Sequence, residues 1–302
     1  MLTRKNKLFL LKLLSLFSVV RGYNILIIVL AQYFTSIFIL APHIRLRNVI
    51  LDPNLFVIVL ASSGVIAAGY IINNFYDREK DLINRPQKTM LDRLVSQQTK
   101  LTGYFILNFL SVVLASYVSF RAVLFFSFYV FAIWFYSHKL KKFPVIGNIV
   151  ASILAITPFF AVFIYYKNFD EVIFVHATFL FLMLMMREMI KDLGNLSGDM
   201  AQNYKTIPVV YGEPASKKIL STLIFAAGIP IYLLLTKYEI GYMFLYFYVC
   251  IALLGIFLIG IWGSKGKTHY VWLHNILKLI IVSGAFSIIL IDVNMILDRI
   301  LW

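Results

Sequence analysis

One cysteine in the whole chain, Cys250, excludes an intrachain disulfide and a cysteine-built zinc site, and its neighbours Val249 and Ile251 mark it as apolar packing. Charge is scarce as well: 14% of residues are Asp, Glu, Lys or Arg, 61% are hydrophobic, and the mean hydropathy is +0.85. A soluble chain of 302 residues could not hide that much apolar surface in one core, so a bilayer must cover the rest. Of the charged residues the acidic are the scarcer, 14 against 28 basic ones. The resulting formal charge of +14 would suit a nucleic-acid partner only on a polar, foldable surface, and here it is strung between apolar runs. No low-complexity tract and no polar domain interrupts those runs, so residues 1–302 read as one transmembrane domain.

Arg4, Lys5 and Lys7 precede an apolar run, the outline of a signal peptide. Lys12 and Arg21 interrupt that run, no clear small-x-small site follows, and it continues into another apolar stretch, so the segment is expected to be retained. Segments near the ~20 residues that span a hydrocarbon core recur at 19–40, 54–76, 101–120, 122–138, 145–166, 171–190, 218–236, 241–262 and 271–292. The expected fold is an all-α membrane protein with nine transmembrane helices around a central cavity, the third and fourth separated only by Arg121. With nine crossings the N-terminus and alternate connections share one side. That side carries lysine and arginine in an excess of roughly three to one, Arg299 being counted opposite, which makes it cytoplasmic in a bacterial or archaeal cell membrane. Two connections there, 77–100 and 191–217, are long and polar enough to carry function.

Each of those connections opens on a stripe of oxygen donors. Asn73, Asp77 and Asp81 stand at i, i+4 and i+8, and Asp192, Asn195 and Asp199 at i, i+3 and i+7, so each set falls on one face of a continuing helix. Gly194 and Gly198 can loosen the second face. Mg²⁺ takes oxygen ligands and keeps substrate phosphates and waters, so two such stripes suit a pair of ions bridged by a diphosphate. Four aspartates, two Mg²⁺ and one diphosphate leave a net charge of about −3, and basic residues must close the site. Candidates are Arg78, Arg85, Lys139, Lys142, Lys191 and Lys205. For each of these taken singly, topology or lipid-headgroup contact is the better explanation of the charge.

The two motifs together resemble those of the UbiA superfamily of membrane prenyltransferases. The family's first motif, N-D-x-x-D-x-x-x-D, is matched from Asn73 through Asp77 to Asp81, with Asn74 in place of its first aspartate; Asn84-Arg85-Pro86 is similar to the family's N-R-P. The second, D-x-x-D-x-x-x-D followed by a basic residue and T-L-P, is matched by Asp192, Asn195 and Asp199, then Lys205-Thr206-Ile207-Pro208. Both departures exchange a carboxylate for a carboxamide, which keeps an oxygen ligand and loses its charge. Arg187-Glu188-Met189-Ile190-Lys191-Asp192 looks like the digeranylgeranylglyceryl phosphate synthase-like branch.

The resemblance implies Mg²⁺-dependent transfer of a polyisoprenyl group from an isoprenoid diphosphate to a lipid-soluble acceptor in the membrane. Asp77, Asp81, Asp192 and Asp199 would be catalytic, with Asn73 and Asn195 joining them as metal ligands, and Arg85, Lys139, Lys142, Lys191 and Lys205 would hold the diphosphate. Arg21 and Asn24 on the first helix, with Asn74 and Tyr136, are expected at the substrate pocket. Other aromatics near the motifs, Tyr70, Phe75, Tyr76 and Phe135, could face an allylic cation or simply pack. The small residues Ala61 to Gly69 allow either close helix approach or room for an isoprenoid chain. A prenylglyceryl phosphate and an aromatic quinone precursor both remain open as acceptor. Two other classes stay open as well, a non-catalytic isoprenoid-binding scaffold and an ion-coupled transporter, although a transporter would place its carboxylates near the midplane.

Overall fold

In the computed structural model, which describes residues 4–293, every regular element is a helix. An N-terminal helix, α1 (Arg4–Val19), precedes α2 (Gly22–Thr35), which a π turn extends to Leu40. There follow α3 (Leu46–Ile50), α4 (Pro53–Tyr76), α5 (Arg78–Asn84), α6 (Pro86–Asp92), α7 (Gln97–Val118), α8 (Phe120–His138) and α9 (Ile146–Tyr166). The second half holds α10 (Glu171–Gly194), α11 (Leu196–Ala201), α12 (Ile207–Thr236), α13 (Phe244–Gly263) and α14 (Lys267–Ser287). Among the described residues nine of these helices, α2, α4, α7 to α10 and α12 to α14, are long and apolar enough to cross a membrane, the number read from the sequence. Arg299 lies outside the described residues.

Boundaries shift where the backbone supplies its own signals. The N-terminal apolar run does not pass straight into the first span: Arg21 takes a left-handed φ of 50°, and α1 stands apart from α2. Ser119, rather than Arg121, divides α7 from α8; its backbone is extended and its hydroxyl accepts from Ala122 N at 3.1 Å as an N-cap. α4 starts on Asp52, which accepts from Asn54 N at 2.9 Å with Pro53 at the first helical position. The two long connections are folded, into α5 with α6 and into α11.

Inside α9, Pro158 has no N–H to give the carbonyl of Leu154. Tyr129 of α8 supplies the missing donor at 2.9 Å, and the carbonyl of Pro158 itself accepts from Gln32 Nε2 of α2 at 2.8 Å. A helix defect thus fastens three helices together, its freed carbonyl satisfied by a neighbouring helix. Gly64 of α4 meets Ser111 of α7 so closely that a Cβ would overlap the hydroxyl, so the small-residue run serves close packing there.

Helices α2, α4, α9, α10 and α14 touch in succession and close a ring, with α8 and Tyr246 of α13 completing its wall; α7 and α12 pack outside. Two apolar clusters result. One joins α10, α12, α13 and α14 around Met186, Phe247 and Leu277; the other joins α2, α4, α8 and α9 around Leu55, Phe126 and Val162. The cavity lies between them. Large side chains such as Phe109, Tyr117 and Ile259 point outward and are exposed, as a lipid-facing surface requires.

Candidate functional site

Asp77 sits at the joint of α4 and α5 without breaking the helical register. Its N–H bonds to Asn73 O at 2.9 Å and its carbonyl accepts from Asp81 N at 2.7 Å, so the expected face of Asn73, Asp77 and Asp81 persists across the joint. The second stripe bends likewise at Asn195, where Asp199 N still reaches Asn195 O at 3.1 Å. Asn84 ties the two stripes together: its amide donates to Asn195 O at 3.3 Å and accepts from Gly198 N at 3.2 Å. A Cβ at residue 198 would run into that amide, which accounts for the glycine. Lys267 in turn donates to the Asn84 carbonyl.

One ammonium spans the two stripes. Lys80 Nζ lies 3.0 Å from Asp199 Oδ1 and 3.9 Å from Asp77 Oδ1. Asp77 also accepts from Lys141 Nζ at 2.7 Å and from the Tyr204 hydroxyl at 3.0 Å, and Lys141 reaches Asn73 Oδ1 at 3.2 Å. Burial pushes the Asp77 carboxyl up, but Lys141 and Lys80 outweigh it and hold the group at about 2. At Asp199 burial wins over Lys80 and the pKa is raised. Burial and the Asp77 charge raise Tyr204, which stays a hydroxyl donor, while its ring lies 4.3 Å from Lys80 Nζ. Across the site Asp192 accepts from Asn148 Nδ2 at 2.7 Å.

Asn73, Asp77, Asp81, Asp192 and Asn195 all line one cavity of about 410 Å³, as do Arg21, Asn24, Arg85, Lys191 and Tyr136. Other expected residues do not. Asp199 is wholly buried behind Lys80 and Thr206. Asn74 turns away, donating to Asp92 Oδ2 at 3.0 Å and accepting from Lys100 Nζ at 3.1 Å, because it stands a residue off the stripe and faces α6 and α7. Lys139, Lys142 and Lys205 are also off the wall: the turn Leu140–Lys142 rotates Lys141 inward instead, Lys142 lies over the Tyr204 ring at 5.4 Å, and Lys205 pins the turn through its backbone N–H to Lys142 O at 2.9 Å.

The sequence reading passed over Lys80, Lys141, Tyr204 and Asn148, and gave Arg187 and Glu188 no place in the site although both line the cavity. Asn148 was detectable as a lone amide early in an apolar span, and Lys80 one turn beyond Asp77. The choice of Lys141 over its two neighbours depends on a turn that no local pattern announces. Of the aromatics near the motifs, Tyr70 lines the cavity, whereas Phe135 stacks on Phe131 at 5.9 Å. Below the polar mouth the walls are apolar, formed by residues such as Ile133, Ala155, Phe163, Phe179 and Met183.

A family model for the UbiA prenyltransferase family matches residues 29–279. The chain belongs to the UbiA prenyltransferase family. Within it, the digeranylgeranylglyceryl phosphate synthase of Thermococcus sibiricus is 34% identical over 152 residues, covering 50% of this chain and 54% of that protein. The synthase of the same name from Methanobrevibacter smithii is 30% identical over 223 residues, 69% of this chain and 76% of that protein. The matched stretch thus spans about half the length of the first relative and three quarters of the second. A solved UbiA homologue from Archaeoglobus fulgidus, bound to GPP and Mg²⁺, shares the fold at a TM-score of 0.66 and 17% identity, over 91% of this chain and 99% of that one.

The donor set of the two stripes fits a hard cation, because each of Asn73, Asp77, Asp81, Asp192 and Asn195 offers a carboxylate or carboxamide oxygen to the cavity. Among the described residues no three His, Cys, Asp or Glu side chains cluster tightly enough to hold an ion alone.

Proposed function

We propose that this protein transfers a polyisoprenyl group from its diphosphate to the hydroxyl of a prenylglyceryl phosphate in the membrane. One observation carries the reading: two stripes of oxygen donors open on a single cavity whose deeper walls are apolar. Asn73, Asp77, Asp81, Asp192 and Asn195 would hold Mg²⁺, and bound Mg²⁺ would supply the positive charge that a departing diphosphate needs. Arg85 and Lys191, with Lys80 and Lys141 between the stripes, add fixed charge on the same wall. The apolar walls hold the prenyl chain and keep water from the reacting carbon. The allylic C–O bond to diphosphate breaks and its electron pair leaves with the diphosphate; the acceptor oxygen forms the new C–O bond and its proton passes to the departing diphosphate. Asp199, behind Lys80, orients that lysine. The excess of lysine and arginine on the motif side supports a cytoplasmic mouth and N-terminus, and the names of the relatives support the acceptor.

The test is purified full-length protein in detergent with radiolabelled prenyl diphosphates and a panel of acceptors, with and without Mg²⁺. Labelled prenylglyceryl ether formed only with Mg²⁺ is the expected result. No transfer to any acceptor from any donor would overturn the reading.

A further inference from the structure

A second pocket, of about 390 Å³, opens beside the central cavity and shares Arg21, Asn24, Arg85, Arg187, Glu188, Lys191 and Lys278 with it. Lys88 and His274 line the second pocket alone, and Leu14 and Phe17 of α1 give it an apolar roof. Six of its side chains, Arg21, Arg85, Lys88, Arg187, Lys191 and Lys278, are lysine or arginine. Its one carboxylate, Glu188, is taken up by Arg187 at 3.1 Å and by Lys191. Arg21 and Lys278 rest on aromatic faces, over Tyr70 at 5.0 Å and Tyr23 at 4.6 Å, and neither they nor Arg85 and Lys88 meet a carboxylate within ion-pairing distance among the described residues. Burial, with Arg21 and Arg85 nearby, lowers Lys88 although Asp92 and Asp81 oppose the shift. His274 Nδ1 is buried without a hydrogen-bond partner. So much uncompensated positive charge in a concave site is a binding surface for a dianion.

We infer that this pocket holds the phosphate of the acceptor lipid, separately from the diphosphate of the donor. The proposal rests on the transfer reading above and assigns its acceptor side. A phosphate seated among Arg21, Lys88 and Lys278 leaves the lipid's apolar stem against Leu14 and Phe17. The shared wall then lets the glycerol hydroxyl face the central cavity. A neutral alcohol would leave these cations unanswered, and an aromatic carboxylate would bring half the charge.

The test measures acceptor and donor separately, using calorimetric binding to the full chain in detergent and initial rates. Lys88→Gln and Lys278→Gln should each raise the KM and Kd for a prenylglyceryl phosphate about tenfold, the scale of one lost charge-assisted hydrogen bond. The KM for the prenyl diphosphate should move less than twofold, and Lys88→Arg should restore acceptor binding, which a mere folding defect would not allow. Prenylglycerol lacking the phosphate should bind the native protein at least tenfold more weakly. Phosphatidic acid should compete, and inorganic phosphate should compete only at far higher concentration. Unchanged acceptor affinity in both variants, a shift in donor KM instead, equal use of prenylglycerol, preference for hydroxybenzoate, or inorganic phosphate competing as well as phosphatidic acid would each overturn the assignment. Calorimetry reads the pocket even where no transfer occurs, so failure of the acceptor site and failure of the transfer reading give different results.

Discussion

Asp77 and Asp192 both line the cavity but differ in what depends on them. Asp192 accepts its side-chain hydrogen bond from Asn148, so Asp192→Asn should cut transfer by about 10²-fold or more while the melting temperature holds. Asp77 neutralises Lys141 and stands near Lys80, both buried, so Asp77→Ala should remove transfer and also cost about 3–5 kcal/mol of stability, visible as an earlier thermal transition. The same lysines set the pH response. Because Asp77 is held at about 2, below the ordinary carboxylate value of about 3.9, its ionised form stabilises the fold above that ordinary value, and the contribution is lost as pH falls through the lowered one. In Lys141→Met burial should regain ground, so acid-side melting should begin at higher pH than in the native protein. The two carboxamides part company as well. Asn195→Asp adds charge on the cavity wall and should lower the Mg²⁺ concentration needed for half-maximal transfer. Asn74→Asp should leave that requirement unchanged and destabilise by about 1–3 kcal/mol, because Asp92 loses its amide donor.

At the level of elements, the clamp of Asn84 on α11 makes a local test. Gly198→Ala should push the amide aside and loosen α5 from α11, lowering transfer severalfold and speeding proteolysis of the 195–205 segment, with the nine spans intact. The spans themselves were legible because twenty apolar residues in succession leave a chain few alternatives. Their ends were less so. The break at Ser119 depends on a cap and an extended backbone, and the turn at Arg21 on a left-handed residue that composition does not mark. The stripes were legible through spacing, since the register survives the joints at Asp77 and Asn195. Lys141 was hidden because three lysines share one turn and only its rotation selects among them.

For the molecule as a whole, the cavity separates the cluster around Phe247 from the cluster around Phe126, and the inner ring closes around space rather than side chains. A prenyl thiodiphosphate that resists turnover should therefore raise the melting temperature, by the equivalent of about 2.7 kcal/mol at a hundred times its Kd, and dimethylallyl analogues should do so less at the same occupancy. Seen this way, Pro158 matters beyond its own helix. The Leu154 carbonyl left without a helix donor and the carbonyl of Pro158 itself are held by Tyr129 and Gln32, so these hydrogen bonds run along the wall of the hollow rather than across it. On the proposed transfer, the protein is an arch whose keystone is its substrate: the prenyl lipid would be, while bound, the missing centre of its own core.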